Sequence, residues 1–164
     1  MSVQYLPGPL GLLRLSAQEG KLREITVVTE QGPESPDETT RKTAAQLEEY
    51  FSGKRREFTV ELAPVGTAFQ QAVWTALRRI PYGKVTTYGA LAAAIGRPTA
   101  CRAVANAVGK NPVLILLPCH RVVASGGIGG FTGGLHLKRR LLSVESIEIA
   151  EKTPFSEKFL FTFG

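Results

Sequence analysis

Cys119 and His120 stand side by side in "LLPCHRVVASGGIGGFTGG", residues 116–134, in a chain whose only other cysteine and histidine are Cys101 and His136. A thiol attacks only as the thiolate, so the simplest activator is a neighbouring base that takes its proton, with a carboxylate to orient that base. His120 is the candidate base, directly or through a water. Glu145, the first acidic residue after Glu61, is the candidate orienting acid. A lone Cys-His pair is more often an inert buried thiol beside a hydrogen-bonded histidine. The loop that follows shifts the balance, because Gly126, Gly127, Gly129, Gly130, Gly133 and Gly134 let backbone amides close on a flat ligand, at an entropic cost that a plain connection does not need.

The elements that must position this pair can be read outward from it. The run "VLILL", residues 113–117, has the content of a buried strand, and Pro118 ends it for want of an N–H, which places Cys119 at the end of a rigid element. Upstream, "TAFQQAVWTALRRI" spaces Phe69, Val73, Trp74, Leu77 and Ile80 as a helix does, with Trp74 a core residue rather than a stacking platform. "TTYGALAAAIG" predicts a helix with a threonine cap, apolar Leu91, Ala94 and Ile95, and a stop at Gly96. After "RPT" comes "ACRAVANAVGKN", whose Val104 and Val108 face inward while Arg102, Asn106 and Lys110 line the other side. Two short helices joined by a tight turn read as a helix-turn-helix. Nearer the N-terminus, "LGLLRLSA" and "LREITVVTE" are β-like, "TTRKTAAQLEEYFSG" is helical, and "GKRREFTVELAPVGT" supplies one more strand and a linker. The fold class is α/β, with an N-terminal α/β domain over 1–63 and a mainly helical domain over 64–164.

Charge divides the chain at the same place. Residues 1–63 carry eight Lys/Arg against ten Asp/Glu and residues 64–164 twelve against four, so the net +6 is −2 and +8 by halves. An acid-free stretch of this length is either a merely basic, solvated surface or one that attracts a polyanion such as nucleic acid, and charge alone does not choose between them. No apolar run is long enough to span a membrane and the N-terminus lacks a secretory signal, so the expected localisation is cytoplasmic, or nuclear in a eukaryote. Two cysteines make no disulfide framework, though a bridge between them stays open, and the absence of a CxxC pair argues against a metal site. A nucleophile, a close-approach loop and a nucleic-acid reader in one acid-free segment point to chemistry on a base.

"IPYGKVTTYGALAAAIG", "CRAVANAVGKNP" and "PCHRVV" with the following "TGGL" closely resemble the O6-alkylguanine-DNA alkyltransferases, over roughly residues 64–145, half the chain. The N-terminal half agrees in size and character but not by motif. The resemblance implies an RNase-H-like N-terminal domain and a winged helix-turn-helix whose recognition helix enters the minor groove, with the damaged nucleotide flipped into a pocket. It implies that Cys119 accepts the alkyl group, with His120 and Glu145 as its relay and Asn111 tying the helix-turn-helix to the active-site strand. By the same resemblance Arg102 fills the gap in the duplex, Tyr88 turns the flanking phosphate, and Ala100 and Cys101 lie against the groove. Arg97 and Gly89 are further DNA contacts, and Ser125 lies in the loop near the base. Pro112 to Pro118 form part of the pocket wall, and Pro118, Val122, Gly130, Phe131 and Thr132 line the pocket, Phe131 standing where many members have tyrosine.

The implied activity is single-turnover, stoichiometric repair of O6-alkylguanine, and of O4-alkylthymine, in double-stranded DNA. The implied protein works as a monomer without cofactor, zinc or membrane, and the resemblance leaves cooperative assembly on DNA open. Non-catalytic relatives that only bind the lesion have tryptophan in place of the cysteine, and Cys119 argues against that alternative. A cysteine hydrolase built on Cys119, His120 and Glu145 would need turnover through an acyl-enzyme, and no acyl-substrate feature accompanies them. The tail "KTPFSEKFLFTFG" brings four phenylalanines that are expected to pack on the body.

Overall fold

The computed structural model describes residues 1–149 and 156–164, and the chain divides into two units: Met1–Val65 with Pro112–Leu114, and Gly66–Asn111 with Ile115–Gly164. In the first unit, β1 (Ser2–Gly8), β2 (Gly11–Gln18) and β3 (Lys21–Val28) form an antiparallel sheet in that order. Glu19 and Gly20 both have positive φ, the geometry of a tight two-residue hairpin turn, and they bring Gln18 opposite Lys21. Along β2 the alternate residues Leu13, Leu15 and Ala17 are fully buried. Each of the two leucines contributes roughly 2 kcal/mol by leaving water. Helix α1 (Glu38–Phe51) packs on this sheet through Thr43, Ala44, Leu47 and Tyr50, and a capping box between Asp37 and Thr40 fixes its start.

The sequence predicts two strands in this unit before the helix, and the structure has three. β1 was hidden because Pro7 and Gly8 interrupt a pattern in which Leu6 alone is buried. The strand expected within residues 54–63 is absent. Leu62 makes a single bridge to Leu22, and the Thr59 N–H donates to the Gln46 side-chain carbonyl at 3.0 Å in place of a ladder partner. Pro112 and Leu114 bond the backbone of Ile25, so this short return segment belongs to the first unit.

The second unit holds α2 (Ala68–Leu77), β4 (Thr86–Thr87), α3 (Tyr88–Ala94), α4 (Cys101–Gly109), β5 (Val122–Val123) and α5 (Leu135–Val144). Thr67 and Gln70 box the N-terminus of α2, and Thr87 caps α3 by accepting from the Ala90 N–H at 3.1 Å. Trp74 is buried, as expected of a core residue, and its Nε1 donates to the Ala107 carbonyl at 2.9 Å, joining α2 to α4. Helices α3 and α4 pack on each other across the turn 95–100. Val104 and Val108 face inward while Arg102, Asn106 and Lys110 are exposed, as their spacing predicts. On α3 the second buried position is Ala92, while Ala94 and Ile95 are half-buried.

β4 and β5 run parallel, Thr86 beside Val122 and Thr87 beside Val123. Beneath them Val85, Val123, Ile128, Leu142, Ile147 and Ile149 form a core that Phe159 of the tail packs against. The tail is anchored through backbone bonds from Val85 to Phe159 and from Phe161 to Val85, both 2.7 Å. Phe161 and Phe163 meet edge to face, with Arg79 over the Phe163 ring. Phe155 lies outside the described residues. Among the described residues no helix is long and apolar enough to cross a membrane.

Candidate active site

The segment that delivers Cys119 is a turn and not the predicted strand. Val113, Ile115, Leu116 and Leu117 are buried as expected, but only isolated bridging is present and Ile115 has φ of +73°. A β-branched residue in that region stores roughly 1–3 kcal/mol of strain, which its fully buried side chain helps to offset. The periodicity of an apolar run cannot distinguish this buried turn from a buried strand. Pro118 then leads into a 3-10 helix, Cys119–Arg121. Asn111, just beyond α4, donates from Nδ2 to the Leu117 carbonyl at 2.6 Å and also hydrogen-bonds the Cys119 side chain. The end of the α3–α4 pair is thereby tied to the turn that carries the thiol.

Cys119 is buried, and burial raises its pKa against the lowering influence of the Asn111 bond and the Lys138 charge, so the resting sulfur is a thiol. His120 is fully buried, with Nε2 at 2.6 Å from Glu145 Oε2. The Arg121 guanidinium forks onto the same carboxylate, Nε to Oε1 at 2.9 Å and Nη2 to Oε2 at 3.0 Å, and Gly83 N–H donates to Oε1 at 2.9 Å. Burial disfavours the Glu145 charge, but His120 and Arg121 together outweigh it and hold the carboxyl ionised well below the usual range.

Burial lowers the His120 pKa more than Glu145 raises it. A neutral imidazole facing an ionised carboxylate donates its proton to it, so Nε2 carries the hydrogen and Nδ1 bears a lone pair. Nδ1 is buried and hydrogen-bonds no described residue. It is a base next in sequence to a thiol.

The glycine loop lies against the start of α3. Tyr88, first residue of α3, donates its phenol to the Gly130 carbonyl at 3.4 Å. Gly129 has φ of +74°, and a Cβ there would meet Ala124 N at 3.0 Å and Tyr88 Cε2 at 3.1 Å, so only glycine allows the loop to lie against Tyr88. By contrast a Cβ at Gly126 or Gly130 would meet nothing within 4 Å, and these are the open positions of the loop. Ser125 is exposed in the turn that bridges Ala124 to Gly127.

The expected pocket residues fall into two groups. Pro118 and Val122 are buried next to the Cys119–Arg121 turn, Val122 within β5. Phe131 is half-buried, while Gly130 and Thr132 are exposed, and Thr132 Oγ1 donates to the Gly109 carbonyl at 2.6 Å, fastening the loop to the end of α4. The expected DNA contacts Gly89, Arg97, Cys101 and Arg102 are exposed, and Ala100, half-buried, stands at the N-cap of α4 without a side-chain cap. Cys101 and Cys119 are separate thiols. Among the described residues no group of three or more His, Cys, Asp or Glu is placed to hold a metal ion.

Sequence reading missed two buried cations, Arg121 and Lys138, though each left a signal. With no acid between Glu61 and Glu145, a buried arginine in that stretch has Glu145 as its nearest acid downstream. Lys138 falls three residues from both Leu135 and Leu141 on α5, on the stripe that faces the core.

Residues 68–147 match the profile of the 6-O-methylguanine DNA methyltransferase DNA binding domain, and residues 4–64 that of its ribonuclease-like domain. A methylated-DNA--protein-cysteine methyltransferase of Methanosarcina acetivorans is 43% identical, over 84% of this chain and 93% of that protein. Its counterpart in Haemophilus influenzae is 42% identical, over 90% and 88%. The crystal structure of Mycobacterium tuberculosis OGT in complex with DNA superposes with a TM-score of 0.81 at 41% identity, covering 88% of this chain and 92% of that one. With a two-part ribonuclease-like and DNA-binding architecture and a PCHR turn around its thiol, the chain belongs to the 6-O-methylguanine DNA methyltransferase family.

Proposed function

We propose that this protein repairs DNA by direct reversal, taking the alkyl group of O6-alkylguanine, and of O4-alkylthymine, onto Cys119 in a single irreversible turnover. The observation that carries the assignment of roles is the buried relay His120–Glu145–Arg121 next in sequence to Cys119, in which an ionised carboxylate fixes the tautomer of a neutral imidazole. The thiol proton passes to His120 Nδ1, directly or through one water. The sulfur attacks the alkyl carbon in line, the S–C bond forms as the C–O6 bond breaks, and the electron pair leaves with the base, which takes up one proton at its ring nitrogen from solvent while His120 releases the thiol's proton to solvent. A thioether has no good leaving group, so the protein is spent. Asn111 positions the turn and stabilises the sulfur through its hydrogen bond.

DNA is held by residues 64–164, whose net charge is +8, while residues 1–63 form a supporting domain. Arg102 on the exposed face of α4 supports the flipped state, with Tyr88, Gly89, Arg97, Ala100 and Cys101 along the duplex and Ser125 beside the extruded base. Pro118, Val122, Gly130, Phe131 and Thr132 enclose that base. The working form is a monomer on double-stranded DNA, in an intracellular compartment and without metal. Intact mass after incubation with an O6-methylguanine duplex tests this. A gain of one methylene per molecule is expected, whereas tight binding with no gain makes the protein a lesion-binding module.

A further inference from the structure

Lys138 is a buried ammonium whose surroundings do not neutralise it. Its side chain is fully buried on α5, and among the described residues no carboxylate pairs with it. Nζ donates to the Val122 carbonyl at 2.7 Å and the Gly130 carbonyl at 2.9 Å, and lies 5.9 Å from the centre of the Tyr88 ring. Two carbonyls and a ring face solvate a cation but do not cancel its charge. Buried charges are normally paired, because each costs several kcal/mol when it is not.

The titratable groups that face Lys138 are Cys119 and His120 on the 3-10 turn, which α5 packs against, and Tyr88 at the start of α3. Tyr88 is held neutral by burial and His120 is a neutral base. Only Cys119 can become an anion during the reaction, and that is when a fixed positive charge nearby acts on it most strongly.

We propose that Lys138 is the built-in counter-charge of Cys119: an electrostatic partner that stabilises the thiolate as the proton leaves for His120, and that the two carbonyl bonds hold in place. The arrangement divides the work between two groups. His120 removes the proton, and Lys138 lowers the energy of the anion left behind. Gly130 O accepts from both Lys138 and Tyr88, so the same lysine also fixes the loop and α3 against the turn. Burial outweighs the upward pull of the sulfur and leaves the lysine at about 8. The interaction is reciprocal, so each group must report on the other.

The proposal rests on the alkyl-transfer reading for its purpose but is tested without DNA. Iodoacetamide alkylates a thiolate directly, with loss of iodide, and mass of the Cys119 peptide follows that sulfur separately from Cys101. The pH midpoint of Cys119 alkylation is expected to rise by a unit or more in Lys138→Met, which is about a tenfold loss of rate below the midpoint, and to stay near the parent value in Lys138→Arg. Equal midpoints in the parent protein and a folded Lys138→Met overturn the proposal.

A second measurement uses the unmutated protein and decides the matter if Lys138→Met does not fold. The 15N resonance of Nζ is titrated before and after Cys119 is converted to a neutral thioether. The ammonium is expected to lose its proton at lower pH once the sulfur can no longer ionise, and an unchanged titration overturns the proposal. A protein that shows the lysine-dependent midpoint yet takes no alkyl group from DNA loses the repair reading and keeps this one.

Discussion

Glu145 receives hydrogen bonds from Gly83 N–H, from two nitrogens of Arg121 and from His120 Nε2, and this convergence is what makes His120 a base. Each residue of the chain acts through the next, so losses are expected not to add. His120→Ala and Glu145→Gln are each predicted to slow alkyl transfer by roughly 10²–10⁴-fold, the range of a general base, and the double variant to be little slower than the worse single one. Rate constants that multiply in the double variant would show that the two do not share a proton path. At this scale the sequence was largely legible. Cys119, His120 and Glu145 stood out by rarity, adjacency and the acid-free gap. Arg121 and Lys138 did not, because a basic residue in a basic segment reads as solvated surface until its burial is known.

Elements proved readable where chemistry marks their ends. Thr87 caps α3 and Gly96 closes it with φ of +76°, as the sequence predicts, while the capping boxes at Asp37 and Thr67 emerge only from the fold. Thr87→Ala is expected to cost about 1 kcal/mol, the usual worth of such a cap, seen as a lowered urea midpoint. What the sequence concealed were segments whose backbone bonds are made by side chains or by turns, such as Thr59 against Gln46 and the turn around Ile115.

The prediction for α4 concerns Arg102. Extruding a base costs a few kcal/mol of stacking and pairing, which a guanidinium occupying the gap offsets in part. Arg102→Ala is therefore expected to slow repair of a duplex lesion far more than reaction with the alkylated base alone, which needs no flipping. Equal slowing on both substrates, or rescue of the duplex defect by low salt, would reduce Arg102 to one more phosphate contact.

For the whole molecule, the division of charge into −2 and +8 sets the salt dependence of DNA binding. Affinity is expected to fall steeply with salt, and Arg97→Ala or Lys110→Ala each to reduce the slope of log affinity against log salt by about one. Stability follows pH through the buried relay. The pKa of His120 in the fold lies below its ordinary 6.5, so as pH falls below that value the unfolded chain takes up a proton the folded one does not. Stability present above pH 6.5 is then lost by about 1.4 kcal/mol per pH unit. Glu145, held ionised, adds nothing to this slope until ordinary carboxyls titrate. A His120→Asn variant is expected to show a flatter profile in denaturant melts between pH 6.5 and 5. The most direct test of the account is peptide mapping after the protein meets an excess of duplex DNA carrying a labelled O6-methylguanine. One methyl group per molecule, on the Cys119 peptide and with no second turnover, is the predicted result. Label on Cys101, continued turnover, or none at all would contradict it.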